Sequence, residues 1–381
     1  MVPLGGGARC SCGRLARRRL PSARLPPART LSTTAAAAPP LLDSAADAIG
    51  RTPLVRLDRL TAALGLDGVI LGKCEQLNPG YSKKDRIAKQ IIEDAAADGT
   101  LRPGQPVVEL TSGNTGTGLA IVCGVRGNPF IAVMSEGNSM ERARMMAALG
   151  AEVVLVPQRP GGVEGQVSGA DLALVEARAQ ELVAERGAFR ADQFNHSGNF
   201  RAHFLHTGPE IIQQAASAGL TIDGFVDFVG SGGTFGGIAA ALQQHALAEG
   251  RAAPPCFIVE PSNAAVLAAE AGAVASAGTG DHCVQGGGYS FPAPELPLIS
   301  SDGATPGSAD IAGYMQVSDD EATEMARLLA AKEGLFCGFS AGANVVAAAE
   351  LLRGECKGGT VAAVLCDSGL KYLSTTLWAE Q

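Results

Sequence analysis

Acidic residues are missing from the first 42 positions of this 381-residue chain, while Arg9, Arg14, Arg17, Arg18, Arg19, Arg24 and Arg29 stand there among serines, alanines and prolines. That composition reads as an organelle transit peptide over 1–40, or else as a disordered tail. No long apolar stretch follows the arginines, which argues against a secretory signal. The run Arg-Thr-Leu-Ser-Thr-Thr at 29–34 favours the mitochondrial matrix, with the plastid stroma as the alternative. Setting the seven arginines aside leaves 23 basic residues against 38 acidic ones, a formal charge of −15. So acidic a body argues against nucleic acid as a partner and for a soluble matrix or stromal enzyme.

In the body of the chain, beyond residue 40, clustered cysteine is lacking too. Cys74, Cys123, Cys256, Cys283, Cys337, Cys356 and Cys366 are dispersed, with no Cys-x-x-Cys and no Cys/His cluster, so neither a disulfide framework nor a zinc site is indicated. His196, His203 and His206 are spaced unlike metal ligands and read as structural. No apolar run reaches the roughly 20 residues that a membrane-spanning helix needs.

What is present is an alternation of short β-branched runs with helical patterns, the mark of parallel sheets covered on both faces. Strands are predicted at Val107–Leu110, 131–134, 153–156, 225–229, 257–259 and 361–365, and helices at 116–125, 140–149, 170–186, 234–248, 319–332 and 341–352. Ser318 and Glu321 form a capping box for the helix at 319. The body exceeds one comfortable core, which predicts two α/β domains with a ligand between them.

Four stretches carry chemistry. In Asn-Pro-Gly-Tyr-Ser-Lys-Lys-Asp-Arg at 78–86 a turn signal runs into a helix that Ser82 can cap, with Asp85 in its first turn. Ile87, Ile91, Ile92 and Ala95 repeat at helical spacing, so this helix is anchored in a core and presents Lys84 from a rigid start. Lys83, Arg86 and the helix N-terminus surround that amine with positive charge, which lowers its pKa and makes it a nucleophile. Taken alone, the stretch reads more readily as a solvated pair of lysines at a helix start.

The other three stretches join strands to helices, where ligands of open α/β sheets bind. Thr-Ser-Gly-Asn-Thr-Gly-Thr-Gly at 111–118 offers hydroxyls, an amide and free backbone N–H groups to a carboxylate, or is an ordinary capped turn. Gly-Ser-Gly-Gly-Thr-Phe-Gly-Gly at 230–237 lets the main chain wrap a phosphate at a helix N-terminus, or is a tight turn. It lacks the Gly-Lys-Ser/Thr of a P-loop and the spacing of a dinucleotide fingerprint, so a single phosphate suits it best. Ser340, in Gly-Phe-Ser-Ala-Gly-Ala at 338–343, needs a partner if buried and locally reads as a helix cap.

Asn78-Pro79, Ser82, Lys84-Asp85-Arg86, Thr111-Ser112-Gly113-Asn114-Thr115-Gly116, Gln193-Phe194, Gly230-Ser231-Gly232-Gly233-Thr234, Val259-Glu260-Pro261, Gln285-Gly286, Ser340-Ala341-Gly342 and Asp367-Ser368-Gly369 follow one another in a familiar order. In this the chain resembles the cysteine synthases (O-acetylserine sulfhydrylases) and the catalytic core of cystathionine β-synthase over residues 49–378. The resemblance implies fold type II, with two three-layer α/β domains, the larger from 41–77 and 197–381 and the smaller from 78–196, and pyridoxal 5′-phosphate in the cleft. It assigns Lys84 to the Schiff base, Asn114 to the ring oxygen, Gly230, Ser231, Gly232, Gly233 and Thr234 to the phosphate, and Ser340 to the pyridine nitrogen. Thr111, Ser112, Thr115 and Gln193 would hold the substrate carboxylate. A neutral serine at the ring nitrogen makes a weaker electron sink than an aspartate, which suits β-elimination with little carbanion build-up.

The activity so implied is L-cysteine synthesis from O-acetyl-L-serine and sulfide through an aminoacrylate, in a homodimer that could engage serine acetyltransferase. β-Cyanoalanine synthase, cystathionine β-synthase and cysteine desulfhydrase are the alternatives within the class, and a deaminase or a non-catalytic regulatory homologue lies outside it. Several features depart from the family pattern. Lys83 stands where an apolar residue is usual, 159–169 reads as an extended loop, Asn-His-Ser-Gly-Asn at 195–199 replaces Asn-Pro-Ala-Asn, and Tyr289 after Gly287-Gly288 resembles the cystathionine β-synthase branch. No haem-binding N-terminal segment or regulatory C-terminal module is read in the sequence.

Overall fold

The computed structural model describes residues 41–111, 113–138, 140–160, 167, 169–278, 280, 282–288, 296–297, 299 and 309–379. The transit-peptide reading of 1–40, the substrate role of Ser112, Tyr289 and most of the 159–169 loop lie outside the described residues.

Two sheets organise the chain. It opens with β1 (Leu54–Arg56), α1 (Asp58–Ala63) and β2 (Val69–Cys74), then runs through α2 (Lys84–Ala97), β3 (Val107–Leu110), α3 (Asn114–Arg126), β4 (Phe130–Ser135), α4 (Met140–Ala148), β5 (Glu152–Val156), α5 (Gly169–Arg186) and β6 (Phe189–Arg190). There follow α6 (Gly198–Ala202), a π-helical turn at His203–Thr207, α7 (Gly208–Ser217), β7 (Gly224–Phe228), α8 (Gly233–Ala248), β8 (Cys256–Pro261), α9 (Val266–Glu270), β9 (Gly313–Val317), α10 (Asp319–Glu333), α11 (Phe339–Arg353) and β10 (Thr360–Leu365). The four-stranded sheet has the order β5-β4-β3-β6, all parallel. The six-stranded sheet has the order β1-β2-β10-β7-β8-β9, parallel except for β1 against β2.

Both sheets are covered on both faces, and the strand sequences show why. In β10, Val361, Ala363 and Leu365 enter one core while Ala362 and Val364 enter another on the opposite face. In β4, Phe130, Ala132 and Met134 point one way and Ile131 and Val133 the other. Side chains alternate along a strand, so a strand buried on both faces must be apolar throughout. The capping box at α10 forms as read, with Ser318 accepting from the Glu321 N–H and Glu321 returning to the Ser318 N–H.

The predicted apolar face of α2 is buried: Ile87, Ile91, Ile92 and Ala95 join the core beneath the smaller sheet. Its N-terminal end is held differently from the sequence reading. Lys83 occupies the N-cap position, and Ser82, one residue earlier, accepts the Lys84 N–H at 3.2 Å. The entry into the helix is pinned by the Lys83 N–H on the Cys366 carbonyl at 2.8 Å and by a bridge between Ser82 and Asp367. Behind it lies a buried ionic cluster. Arg86 grips Glu75 at 2.7 and 2.8 Å and Glu210 at 2.7 and 2.8 Å, and Lys73 donates to Glu210 at 2.7 Å. Asn78 donates to Glu75 at 2.9 Å, so the turn ahead of Lys84 hangs on the same cluster. α3 passes close to this turn because Gly118 lacks a side chain, and a Cβ there would lie 2.9 Å from the Asp85 Cα and 3.1 Å from the Lys84 carbonyl.

Candidate active site

Hydrogen bonds bring three of the four chemistry-bearing stretches together, Lys84 to Ser231 directly and Gly80 to Asn114 through Lys371. Lys84, half-buried at the first turn of α2, donates from Nζ to the Ser231 hydroxyl at 3.2 Å, in the β7–α8 connection. Removal from water is the main cause that brings its pKa down to about 8, and the ammonium of Lys83 adds to it while Asp227 opposes it. The positive surrounding is narrower than the sequence suggests, because Arg86 is engaged by Glu75 and Glu210.

Lys83 has another task. Its ammonium donates to both carboxylate oxygens of Asp227 at 2.8 Å and to the Phe228 carbonyl at 3.1 Å. Burial works against this charge, but Asp227 outweighs it and Lys83 stays protonated, with its pKa above the usual lysine value. Of the paired lysines, Lys84 is therefore the one whose amine is near neutrality and turned to the glycine loop.

That loop is built as an anion seat. Gly232, the N-cap of α8, has φ +85°, a region that side-chain-bearing residues disfavour, and no side chain caps the helix. The backbone N–H groups of Ser231, Gly232, Gly233 and Thr234 find no partner among the described residues. Free N–H groups at a helix N-terminus attract a phosphate. Two residues not assigned to the site from sequence support the loop. Asn199 donates to the Ser231 hydroxyl at 2.7 Å and to the Gln193 carbonyl at 2.6 Å. His203, read as structural, lies between Thr207 at 2.9 Å and Thr234 at 3.1 Å, and burial pushes its pKa well below the usual value, so the ring is neutral. Neither stands next in sequence to a glycine motif, and the only available signal was the unusual 195–199 stretch.

On the facing connection, between β3 and α3, Thr111 accepts the N–H groups of Gly113 at 3.0 Å and Gly116 at 2.9 Å. The N–H groups of Asn114 and Thr115 are without partners among the described residues. The Asn114 side chain is oriented by its neighbours. Lys371, a donor only, reaches Oδ1 at 2.6 Å, and the carboxylate of Asp367 accepts from Nδ2 at 2.9 Å. One Nδ2 hydrogen is left for a ligand. Lys371 is buried, which lowers its pKa to about 8, and it also binds the Gly80 carbonyl at 2.8 Å. It too escaped the sequence reading, being a lone lysine in an apolar stretch. Thr115 donates to Gln193 at 2.6 Å.

Ser340 is buried in the first turn of α11, beside the Cys366 thiol. It does not cap that helix, whose N-cap is Gly338 without a side-chain bond. No group of metal-binding side chains occurs among the described residues, and no described helix is long and apolar enough to cross a membrane.

An amine brought near neutrality, an anion seat beside it and a second donor loop fit a phosphorylated aldehyde. The family described as pyridoxal-phosphate dependent enzyme matches residues 45–367. The chain belongs to that family. The cofactor of this enzyme is accordingly pyridoxal phosphate. Among curated relatives, a cysteine synthase of Staphylococcus aureus is 36% identical over 342 residues, 89% of this chain and 97% of that protein. An O-ureido-L-serine synthase of Streptomyces lavendulae is 36% identical over 344 residues, covering 89% of this chain and 93% of that one. Among solved structures, O-acetylserine sulfhydrylase isoform 3 of Entamoeba histolytica matches with a TM-score of 0.76 and 30% identity, covering 92% of this chain and 95% of that chain. The fold is thus that of the type II pyridoxal-phosphate enzymes, as the resemblance implied.

Proposed function

We propose that this pyridoxal-phosphate enzyme makes L-cysteine from O-acetyl-L-serine and sulfide by β-replacement. The observation that carries the reading is the Lys84 amine, lowered to a pKa of about 8 and set against Ser231 at the head of the glycine loop. Bound through Lys84, pyridoxal phosphate supplies an electron sink for charge developing at the substrate's α-carbon. The N–H groups of Ser231 to Thr234, aligned with the α8 dipole, bind the phosphate, and Asn199 and His203 hold the loop in shape. The remaining Nδ2 hydrogen of Asn114 meets the ring oxygen. Ser340 meets the ring nitrogen with a neutral hydroxyl, which favours departure of a β-substituent over deeper carbanion chemistry. The free N–H groups of Asn114 and Thr115, with the hydroxyls of Thr111, Ser112 and Thr115, bind the substrate carboxylate, and Gln193, whose own donors are engaged by Glu109 and Leu110, positions the Thr115 hydroxyl rather than touching the substrate. With its amine free, Nζ of Lys84 would serve as the general base that takes the proton from the substrate's α-carbon.

The cysteine synthase among the relatives supports cysteine as the product, and the O-acetylserine sulfhydrylase among the solved structures supports O-acetyl-L-serine as the donor. The arginine-rich, acid-free segment at 1–40 supports import into an organelle, the mitochondrial matrix before the plastid stroma. The test is a product assay on purified holoenzyme offered O-acetyl-L-serine with sulfide and, separately, L-serine with homocysteine. Cysteine from the first pair at the higher kcat/KM is expected. Faster cystathionine formation from the second pair would overturn the assignment.

A further inference from the structure

Lys83 and Asp227 form a buried ion pair that touches the same β7–α8 connection as Lys84. Lys83 Nζ reaches the Phe228 carbonyl at 3.1 Å, and three residues on, Lys84 Nζ reaches the Ser231 hydroxyl at 3.2 Å. The two amines therefore stand on consecutive residues against one short segment, one compensated by a carboxylate and the other not. Asp227 is almost fully buried, and Asn344 donates to it at 3.2 Å and to the Val364 carbonyl at 2.8 Å, which fixes the carboxylate from α11. Cys366 closes the group, with its thiol 3.7 Å from Asp227 and in contact with Ser340, the residue proposed at the ring nitrogen. So placed, the pair lies behind the cofactor seat and outside it.

We propose that the Lys83–Asp227 pair is a positioning device that sets the proton affinity of the Lys84 amine, with Lys83 favouring the neutral form and Asp227 the ammonium. The charged and titratable groups facing Lys84 from the packed elements are Lys83 of the turn, Asp227 of β7, Cys366 after β10 and His203 of the π-helical turn. Burial pushes the Cys366 thiol up to about 12 and keeps His203 well below its usual range, so both are neutral at physiological pH. The pair alone brings formal charge to the amine. Because its two members have opposite effects, removing either one moves Lys84 in opposite directions, which a merely structural role would not do. This inference rests on Lys84 being the reactive amine of the proposed function, and it is tested without the cofactor.

The experiment is pH-resolved acylation of the apo-protein with limiting acetic anhydride, followed by peptide mass mapping, which reads the midpoint of Lys84 deprotonation directly. In Lys83→Met the remaining Asp227 is expected to raise the midpoint by about one pH unit, and in Asp227→Asn the midpoint should fall by about one unit over the pH range in which the same peptide maps show Lys83 unacylated and therefore still an ammonium. Each single variant strips a buried charge of its partner and risks misfolding. The exchanged pair, Lys83→Glu with Asp227→Lys, keeps compensation while placing negative charge beside Lys84, and its midpoint should rise. Shifts of one sign in both single variants, or an unmoved midpoint in the exchanged pair, would overturn the proposal. Borohydride trapping of pyridoxal phosphate on a lysine other than Lys84 would instead sink the functional reading and leave the midpoint result standing.

Discussion

The Thr115 hydroxyl donates to Oε1 of Gln193 across 2.6 Å, while the Gln193 amide hydrogens are engaged by the Leu110 carbonyl at 3.1 Å and Oε1 of Glu109 at 3.3 Å. Gln193 thus has no donor to spare, and a substrate carboxylate that uses Thr115 must compete with it for that proton. Thr115→Val would leave the Gln193 oxygen buried and unpaired, at a cost of about 1–3 kcal/mol of stability. Thr115→Ser keeps the donor. Urea unfolding should separate the two variants by that amount, and KM for the amino-acid substrate should rise for the valine variant alone. Equal KM values would show that the hydroxyl does not serve the substrate.

Lys84→Ala should abolish the covalent label that borohydride leaves between pyridoxal phosphate and the protein. Label transfer to Lys83 is not expected, because its ammonium is held by Asp227 at 2.8 Å and burial with that partner keeps it charged. Peptide mapping of wild type and variant decides it: retained labelling at any other lysine refutes the assignment.

Much of this site was legible because its chemistry sits in contiguous runs. The free N–H groups at Ser231 to Thr234 follow from an apolar strand, glycines and a helix start, all of which are local. Strand β10 was legible because burial on both faces makes it apolar at every position, as in Val361 to Leu365. Strands β2 and β9 were not, since Val69–Cys74 carries the buried Lys73 and Gly313–Val317 is half-exposed and holds Gln316. The supports of the site were hidden for a different reason. Asn199 meets Ser231 across 32 positions and Lys371 meets Asn114 across 257, and nothing local in either residue's sequence marks such a pairing. Lys83 was visible as a departure, but its meaning required Asp227, 144 positions away.

Gly232→Val should weaken cofactor binding more than it weakens the apo-protein. With φ at +85° a β-branched residue is strained, and the Cβ would also run into the Ile299 side chain, so the loop must shift its N–H groups. Charge-assisted hydrogen bonds to a phosphate are worth about 1.5–3 kcal/mol each, so losing two should weaken binding by at least about two orders of magnitude. Equilibrium titration of the apo-protein with pyridoxal phosphate is the measurement. An unchanged dissociation constant would mean that the loop is only a turn.

The ionic cluster behind α2 predicts a specific acid sensitivity. Burial raises the Glu210 carboxyl, but the hydrogen bonds and charge of Arg86 together with Lys73 outweigh it and bring its pKa from 4.5 down to about 2. A carboxylate depressed in the folded state stabilises fully above its unfolded pKa and loses that contribution as the pH falls through its folded value. Glu210 should therefore contribute fully above about pH 4.5 and progressively less toward pH 2, by at most about 3 kcal/mol at 1.36 kcal/mol per pKa unit. Asp85 and Glu109 act in the opposite sense, because burial raises them from 3.8 and 4.5 to about 7 and their ionisation costs stability as the pH rises from those values to 7. The wild-type curve mixes these effects, so the informative quantity is the difference between wild type and Glu210→Gln in urea unfolding free energy. That difference should be flat from pH 7 to 5 and should narrow from pH 4.5 to 3. A difference constant down to pH 3 would mean that Glu210 contributes through packing rather than through its charge on Arg86 and Lys73.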